Sequence, residues 1–386
     1  MNLLFKIVDM KRYLDDLIEK DLSTKMVLVS GPRQVGKTTL CRQLMAGFEP
    51  HQYLNWDVAP DRSIIQGHRW SRDTRLLVFD EIHKKPDWKS WLKGVYDGRS
   101  KGQSVLVTGS ARMDTFRQSG ESLAGRYFAY RLHPVSVKEW VAHSGQTPQQ
   151  ALDRLMVRGG FPEPCLAEDP VMADRWRRQY ATDLIREDVL EFSRLQEVKV
   201  MQLLVEMLRE RVGSPLSFAS LARDLAVSPA TIKRYVDILQ ALFIVFLLPP
   251  WHRNVARALI SAPKLYFYDT GMVVDDPAKR FENAMACMLL KHVHFQQDTH
   301  GQDLDLYYLR TKDGSEVDFV LATKDAPTHL LECKLTDGSA HRALTQQAQR
   351  FPDAQAIQLV KDCYQEQTKG LIEIRRASDW LARLAA

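Results

Sequence analysis

The apolar positions of the first third of the chain fall in short unbroken runs separated by stretches of helical spacing. Met26-Val27-Leu28-Val29, Arg75 to Glu81 and Ser104 to Thr108 each read as a strand buried on both faces, because the run does not alternate with polar residues. Gln52 to Trp56 reads as a shorter strand. Thr39 to Gly47 is amphipathic, and Pro86 to Tyr96 is a helix rich in tryptophan and lysine. Strands alternating with helices predict an α/β core, a parallel sheet covered on both faces.

Beyond His133-Pro134 the spacing turns helical, over Val137 to Ser144 and Gln149 to Arg158, and then breaks at Gly159-Gly160-Phe161-Pro162. A long helical stretch follows from about Pro170 to Val212. From Ser217 to Phe243 the pattern is helix, short turn, helix, with Ser228 as N-cap and Pro229 in the first helical position. Two apolar runs follow, Ile244 to Leu248 and Leu265 to Tyr268, as the paired strands of a winged helix would require. The last part opens with a helix over Arg280 to Val293 and continues with strands Leu304 to Leu309, Glu316 to Ala322, Thr328 to Lys334 and Ala356 to Val360. The expected domains are therefore residues 1–135, 136–212, 213–276 and 277–386.

Composition narrows the class. The chain has 386 residues, 45% of them hydrophobic and 26% charged, values of a globular protein with more than one core. No apolar run approaches the length of about 18 residues that a membrane helix needs, so no membrane contact is expected. The charged N-terminal stretch lacks a cleavage signature, and the five cysteines are scattered without a C-x-x-C pair, which together predict reduced thiols in a cytoplasm. A net charge of +5 permits contact with nucleic acid without demanding it.

Candidate chemistry begins at Gly31-Pro32-Arg33-Gln34-Val35-Gly36-Lys37-Thr38, which lies between the first strand and its helix. A loop of this kind aims backbone N–H groups at a polyphosphate. Gly31 and Gly36 let the backbone turn and approach the phosphates, Lys37 supplies a point charge, and the Thr38 hydroxyl is a ligand for the Mg²⁺ that travels with ATP. Thr39 is the next helical residue and a further candidate contact. Asp80, after four apolar residues, is placed to hold the Mg²⁺ shell, and Glu81 to orient or deprotonate the attacking water.

In the last part, Glu282, Asp318 within Gly314-Ser315-Glu316-Val317-Asp318, and Glu332-Cys333-Lys334 form a second candidate cluster. The strand period of 2 puts Glu332 and Lys334 on one face, and a hairpin would bring Asp318 to it. Carboxylates that hold a metal, with a lysine beside them, suit phosphodiester hydrolysis. On the second helix of the winged segment, Thr231, Lys233 and Arg234, with Arg253, Arg257 and Lys264 around the wing, are candidate DNA contacts; packing against protein is the alternative.

The set Gly31–Thr38, Leu76–Glu81, Val105–Arg112, Ser122–Arg126 and Arg158–Pro162 resembles the AAA-type ATPases of bacteria and archaea that carry a C-terminal domain of unknown function. The resemblance covers nearly the whole chain, in the family's motif order. It implies a P-loop AAA-like core with a helical lid, a winged helix, and a small terminal α/β domain of restriction-endonuclease-like fold. It also implies assembly as a homo-oligomeric ring, with a hexamer as one size. Ser110 matches the place where related ATPases keep a polar residue near the γ-phosphate, or is a turn former. Of Arg112, Arg126 and Arg131, one acts on a neighbour's nucleotide if the ring reading holds, and Arg126 is the first candidate. The terminal cluster resembles the PD-(D/E)xK nucleases, with Gly-Ser-Glu-Val before Asp318 where the name-giving pattern has a proline. Three readings stay open for it: an active nuclease, a nuclease fold kept for DNA binding or assembly, and coincidence. For the whole chain the expectation is a Mg²⁺-dependent ATPase that binds and remodels DNA, branched DNA included. The alternatives are an ATP-regulated endonuclease and a nucleotide-gated switch with a protein partner.

Overall fold

The computed structural model describes residues 10–109, 123–190, 195–252, 262–311, 313–336 and 338–386. The chain forms two compact units, one ending at His133 and the other beginning at Pro134. Ser110, Arg112, Ser122, Arg253 and Arg257 lie outside the described residues.

The first unit contains α1 (Asp15–Leu22), β1 (Met26–Ser30), α2 (Lys37–Met45), β2 (His51–Asn55), α3 (Ala59–Gly67), β3 (Leu76–Asp80), α4 (Trp88–Asp97), β4 (Ser104–Thr108) and β5 (Tyr127–Arg131). All five strands are parallel, in the order β2-β3-β4-β1-β5. Every residue of β1, β3 and β4 is buried, as the unbroken apolar runs require of strands covered on both faces. One face packs Met26, Leu54, Leu77, Phe79, Leu92, Val105 and Val107 into a common core with Trp56 and Trp88. Because β4 lies between β1 and β3, the C-terminal ends of these three strands form a single rim, the usual place for a ligand on an open α/β sheet.

The second unit begins with helices. They are α5 (Val137–Ser144), α6 (Pro148–Arg158), α7 (Pro162–Leu166), α8 (Pro170–Leu190) and α9 (Leu195–Arg209). Capping boxes start α5, through Ser136 and Glu139, and α6, through Thr147 and Gln150. Gly159, at φ 73°, ends α6 where a Cβ would lie 1.6 Å from Asp269 Oδ1, so no larger residue fits. A helix–turn–helix follows, α10 (Phe218–Asp224) and α11 (Pro229–Ala241); Ser228 caps α11 by accepting from the Thr231 N–H, with Pro229 at the first position. Strands β6 (Val245–Leu248) and β7 (Lys264–Phe267) then pair antiparallel.

The last elements are α12 (Pro277–His300), β8 (Asp305–Arg310), β9 (Glu316–Ala322), β10 (Pro327–Thr336), α13 (Arg342–Arg350), β11 (Gln355–Asp362), β12 (Gln367–Lys369), β13 (Ile372–Arg376) and α14 (Ala377–Ala382). They build a six-stranded mixed sheet in the order β12-β13-β11-β10-β9-β8. The expected hairpin is present: β9 and β10 are antiparallel, with Leu331 opposite Phe319. The architecture is α/β throughout, a parallel core and a separate mixed sheet. Among the described residues no helix is long and apolar enough to cross a membrane.

Candidate nucleotide site and the terminal carboxylate cluster

The nucleotide-type site is built on the rim of β1, β3 and β4. Gly31 follows β1 at φ 154°, and a Cβ there would sit 2.4 Å from the Leu132 carbonyl oxygen, so the turn admits only glycine. Gln34 and Gly36 take left-handed conformations at φ 58° and 103°, which bends the loop from strand into helix. Pro32 and Val35 are buried, Arg33 and Thr39 half-buried, and Gln34 exposed. The buried Arg12 braces the loop from behind, donating to the carbonyls of Val35 at 2.9 Å and His133 at 2.6 Å. Arg12 carries no local signal and was not among the expected residues.

Lys37 begins α2, and its Nζ donates to the Gly31 carbonyl at 2.9 Å and the Pro32 carbonyl at 2.6 Å. The ammonium is thus folded back over the loop it serves. Burial lowers its pKa to about 8, against the attraction of Glu81 and Asp80. Next to it, Thr38 Oγ1 donates to Asp80 Oδ2 at 3.1 Å.

Asp80 is 4% exposed and fully partnered. Oδ1 accepts from Thr108 Oγ1 at 2.6 Å and from the Glu81 N–H at 3.1 Å, while Oδ2 accepts from Tyr53 and Thr38. Thr108, at the end of β4, stands directly between the loop strand and β3, in register with both Val29 and Asp80. Neither Thr108 nor Tyr53 was expected; the sheet order that places them was not readable from the strands alone. Glu81 turns away from β3 in a left-handed conformation, φ 54°. Its Oε2 is buried without a hydrogen bond, with Lys84 Nζ and His83 Nε2 each 3.6 Å away. Burial raises its pKa, opposed by Lys37 and Lys84, so it is a better base than a solvated glutamate.

The residues present fit nucleotide and metal: a glycine-bounded loop, a lysine ammonium, a hydroxyl and a carboxylate already in contact, and a buried carboxylate oxygen that accepts no hydrogen bond. Arg126 is held by its own chain, Nε to Asp97 Oδ1 at 2.8 Å and Nη2 to Oδ2 at 3.1 Å.

The terminal carboxylates also come together, but not as an open metal site. Asp318 Oδ2 accepts from the Cys333 N–H at 2.9 Å, one rung beyond the Leu331–Phe319 pair. Lys334 Nζ lies 2.7 Å from Glu332 Oε1, so these two do share a face, and His341 Nδ1 lies 3.1 Å from the same oxygen. Against the burial that would raise it, the bonds from His341 and Lys334 hold Glu332 below the ordinary carboxylate range. Glu282 Oε1 accepts from Tyr266 at 2.7 Å.

One expectation is corrected here. Lys264, read as a phosphate contact near the wing, is 1% exposed and points into this cluster. Its Nζ lies 2.6 Å from Glu316 Oε1, 3.1 Å from Glu282 Oε1 and 3.7 Å from Asp318 Oδ1. The reason is electrostatic: a lysine with no exposed surface has to be paired, and three carboxylates supply the pairing. Although burial works against its charge, those carboxylates outweigh burial and raise its pKa. Burial, with Glu282 and Glu332 nearby, raises Asp318. Among the described residues no group of three or more His, Cys, Asp or Glu side chains is arranged to hold a metal. With an ammonium already seated among them, the carboxylates do not fit a divalent ion.

On α11, Lys233 and Arg234 are exposed and Thr231 is half-buried. Arg234 Nη2 bonds Glu197 Oε1 of α9 at 3.1 Å, and Thr231 shares a hydroxyl contact with Ser228.

Comparison with known proteins adds three matches. Residues 23–141 match the model of the AAA domain, residues 149–275 a domain of unknown function (DUF8612), and residues 279–375 a domain of unknown function (DUF4143). An uncharacterized protein of Mycobacterium tuberculosis is 29% identical over 310 residues, covering 78% of this chain and 68% of its own length. Another, from Methanocaldococcus jannaschii, is 22% identical over 339 residues, covering 79% and 75%. The Thermotoga maritima RuvB Holliday junction branch migration motor aligns with 61% of this chain and 87% of its own at 16% identity, with a TM-score of 0.30, a likeness too slight to carry an argument.

Proposed function

We propose that this chain, an AAA-type ATPase with a C-terminal domain of unknown function, couples Mg²⁺-dependent ATP hydrolysis to the binding and remodelling of DNA, as a homo-oligomeric ring. The observation that carries the reading is the bonded set Thr38, Asp80 and Thr108 on one rim, with the Glu81 oxygen that accepts no hydrogen bond beside it. Thr38 and Asp80 would hold Mg²⁺, which supplies charge neutralisation on the phosphates. Lys37 exchanges the carbonyls of Gly31 and Pro32 for phosphate oxygens. Glu81 takes the proton of the attacking water at its Oε2, a role its raised pKa favours. Ser110, outside the described residues, would contact the γ-phosphate, and an arginine would reach the neighbouring subunit's nucleotide. Were that arginine Arg126, it would first have to leave Asp97.

DNA enters the proposal through the helix–turn–helix followed by paired strands, with Lys233 exposed on the second helix. A second reading, a nucleotide-gated switch that meets a protein, is favoured by one contact: Glu197 occupies Arg234, half the cationic pair of that helix. An ATP-regulated endonuclease is disfavoured by Lys264 among the terminal carboxylates. The separating experiment uses Glu81→Gln to hold ATP unhydrolysed and follows fluorescence anisotropy of labelled single-stranded, duplex and four-way-junction DNA. ATP-dependent binding, reduced by Lys233→Glu, supports the first reading. Absence of binding to every form supports the switch. Light scattering of the same sample tests the ring, which a monomer mass in ATP contradicts.

A further inference from the structure

The resemblance of the terminal domain to metal-dependent nucleases and the position of Lys264 cannot both stand at face value. A divalent ion in such a fold needs several carboxylate oxygens converging at about 2.0–2.6 Å. Here the oxygens of Glu316, Glu282 and Asp318 converge on an ammonium.

We propose that Lys264 is a built-in cation standing among the carboxylates to which the nuclease resemblance would assign a metal, so that this cluster holds no divalent ion and the terminal domain does not cleave phosphodiesters. The lysine is not a surface side chain that happens to reach inward. It begins β7, opposite Leu248 in the strand pair, and is bridged on its other side to Pro215, so its backbone is fixed within the winged segment. Its ammonium therefore ties that segment to Glu282 on α12 and to Glu316 and Asp318 on β9. Glu282 is fixed in turn, by the Tyr266 hydroxyl and by close packing on Gly213, where a Cβ would lie 2.6 Å from Oε2. The remaining pair of the nuclease pattern is bonded within itself, Lys334 Nζ on Glu332 Oε1, while Glu332 Oε2 is buried without a hydrogen-bond partner. A doubly charged ion entering this cluster would be set against the fixed positive charge of Lys264, which already engages Glu282 Oε1, Glu316 Oε1 and Asp318 Oδ1. This inference is independent of the nucleotide site and of DNA coupling.

The test is Mn²⁺ binding by the nucleotide-free full chain in an Asp80→Asn background, followed by electron paramagnetic resonance, with a plasmid-nicking assay in Mn²⁺ alongside. Asp318→Asn should leave Mn²⁺ binding by the Lys264 protein unchanged, and the plasmid should stay whole. Lys264→Gln should gain one Mn²⁺ whose affinity drops at least about tenfold on adding Asp318→Asn. Nicking by the Lys264 protein that requires Asp318, or Mn²⁺ binding that Asp318→Asn weakens tenfold, overturns the proposal. A folded Lys264→Gln that gains no Mn²⁺ overturns it too. Should Lys264→Gln fail to fold, the effect of Asp318→Asn on the Lys264 protein decides alone.

Discussion

Thr108→Val isolates the contact that joins the end of β4 to Asp80, the carboxylate proposed to hold Mg²⁺. The substitution keeps the shape of the side chain and removes one hydroxyl, at a residue with no exposed surface. In the native rim Asp80 Oδ1 has two donors, Thr108 at 2.6 Å and the Glu81 N–H at 3.1 Å. The variant leaves only the longer one, on a carboxylate that is itself buried. A hydrogen bond to a charged group contributes about 1.5–3 kcal/mol, and water cannot replace this donor. If the loss falls on the folded state, urea denaturation should show the first unit destabilised by about that amount. If it falls on the orientation of Asp80, kcat should drop by roughly 10- to 100-fold, since about 1.4 kcal/mol is a factor of ten. Thr108→Ser, which keeps the hydroxyl, should recover most of either loss. A Thr108→Val protein with native stability and native kcat would refute the argument that this hydroxyl positions Asp80.

Glu81→Gln should retain ATP binding and lose roughly 10²- to 10⁴-fold in kcat, read by nucleotide binding and phosphate release on one sample; equal losses in both would assign Glu81 to binding. Gly31→Ala should abolish ATP binding, because the added Cβ meets the Leu132 carbonyl at 2.4 Å; normal affinity in a fluorescent-nucleotide titration would contradict it. The pH dependence follows from Lys37, whose pKa is lowered from 10.5 to about 8 in the free protein. The charged form binds phosphate, so ATP affinity should be level below pH 8 and fall about tenfold per unit above it, with no such slope in Lys37→Ala. The sign for stability is opposite: the unfolded chain holds the extra proton between pH 8 and 10.5, so this lysine's contribution to unfolding free energy rises with pH in that window.

How much of this was legible depended on how local each feature is. The strands at Ser104–Thr108 and Glu316–Ala322, the helix at Val137–Ser144 and the cap at Ser228 lie where their patterns place them, because each is set by its own run of residues. Strand β5 was not expected, since Tyr127–Arg131 is an edge strand with one buried residue and no apolar run. Helix α3 was hidden by its shortness, with Ile65 as its one fully buried residue. In the terminal sheet β13 is half-buried and β12 exposed, so neither has a strong period. The loop, Asp80 and Glu81 are contiguous motifs and could be read directly. Thr108, Tyr53 and Arg12 join them only through sheet order and a contact across more than a hundred residues, from Arg12 to the His133 carbonyl. Lys264 is the instructive miss, a single cation at the head of an apolar run whose partners are 18, 52 and 54 positions away, at Glu282, Glu316 and Asp318. Glu316 was closer to reach, since it shares a strand face with Asp318 two residues on.

The most direct measurement is steady-state ATP hydrolysis with Mg²⁺ at low salt, with no DNA and with single-stranded, duplex and four-way-junction DNA, run beside Lys37→Ala. Coupling predicts that one DNA form raises turnover, that the DNA stays whole, and that Lys37→Ala is silent throughout. Turnover indifferent to every DNA form, or robust turnover by Lys37→Ala, would contradict it.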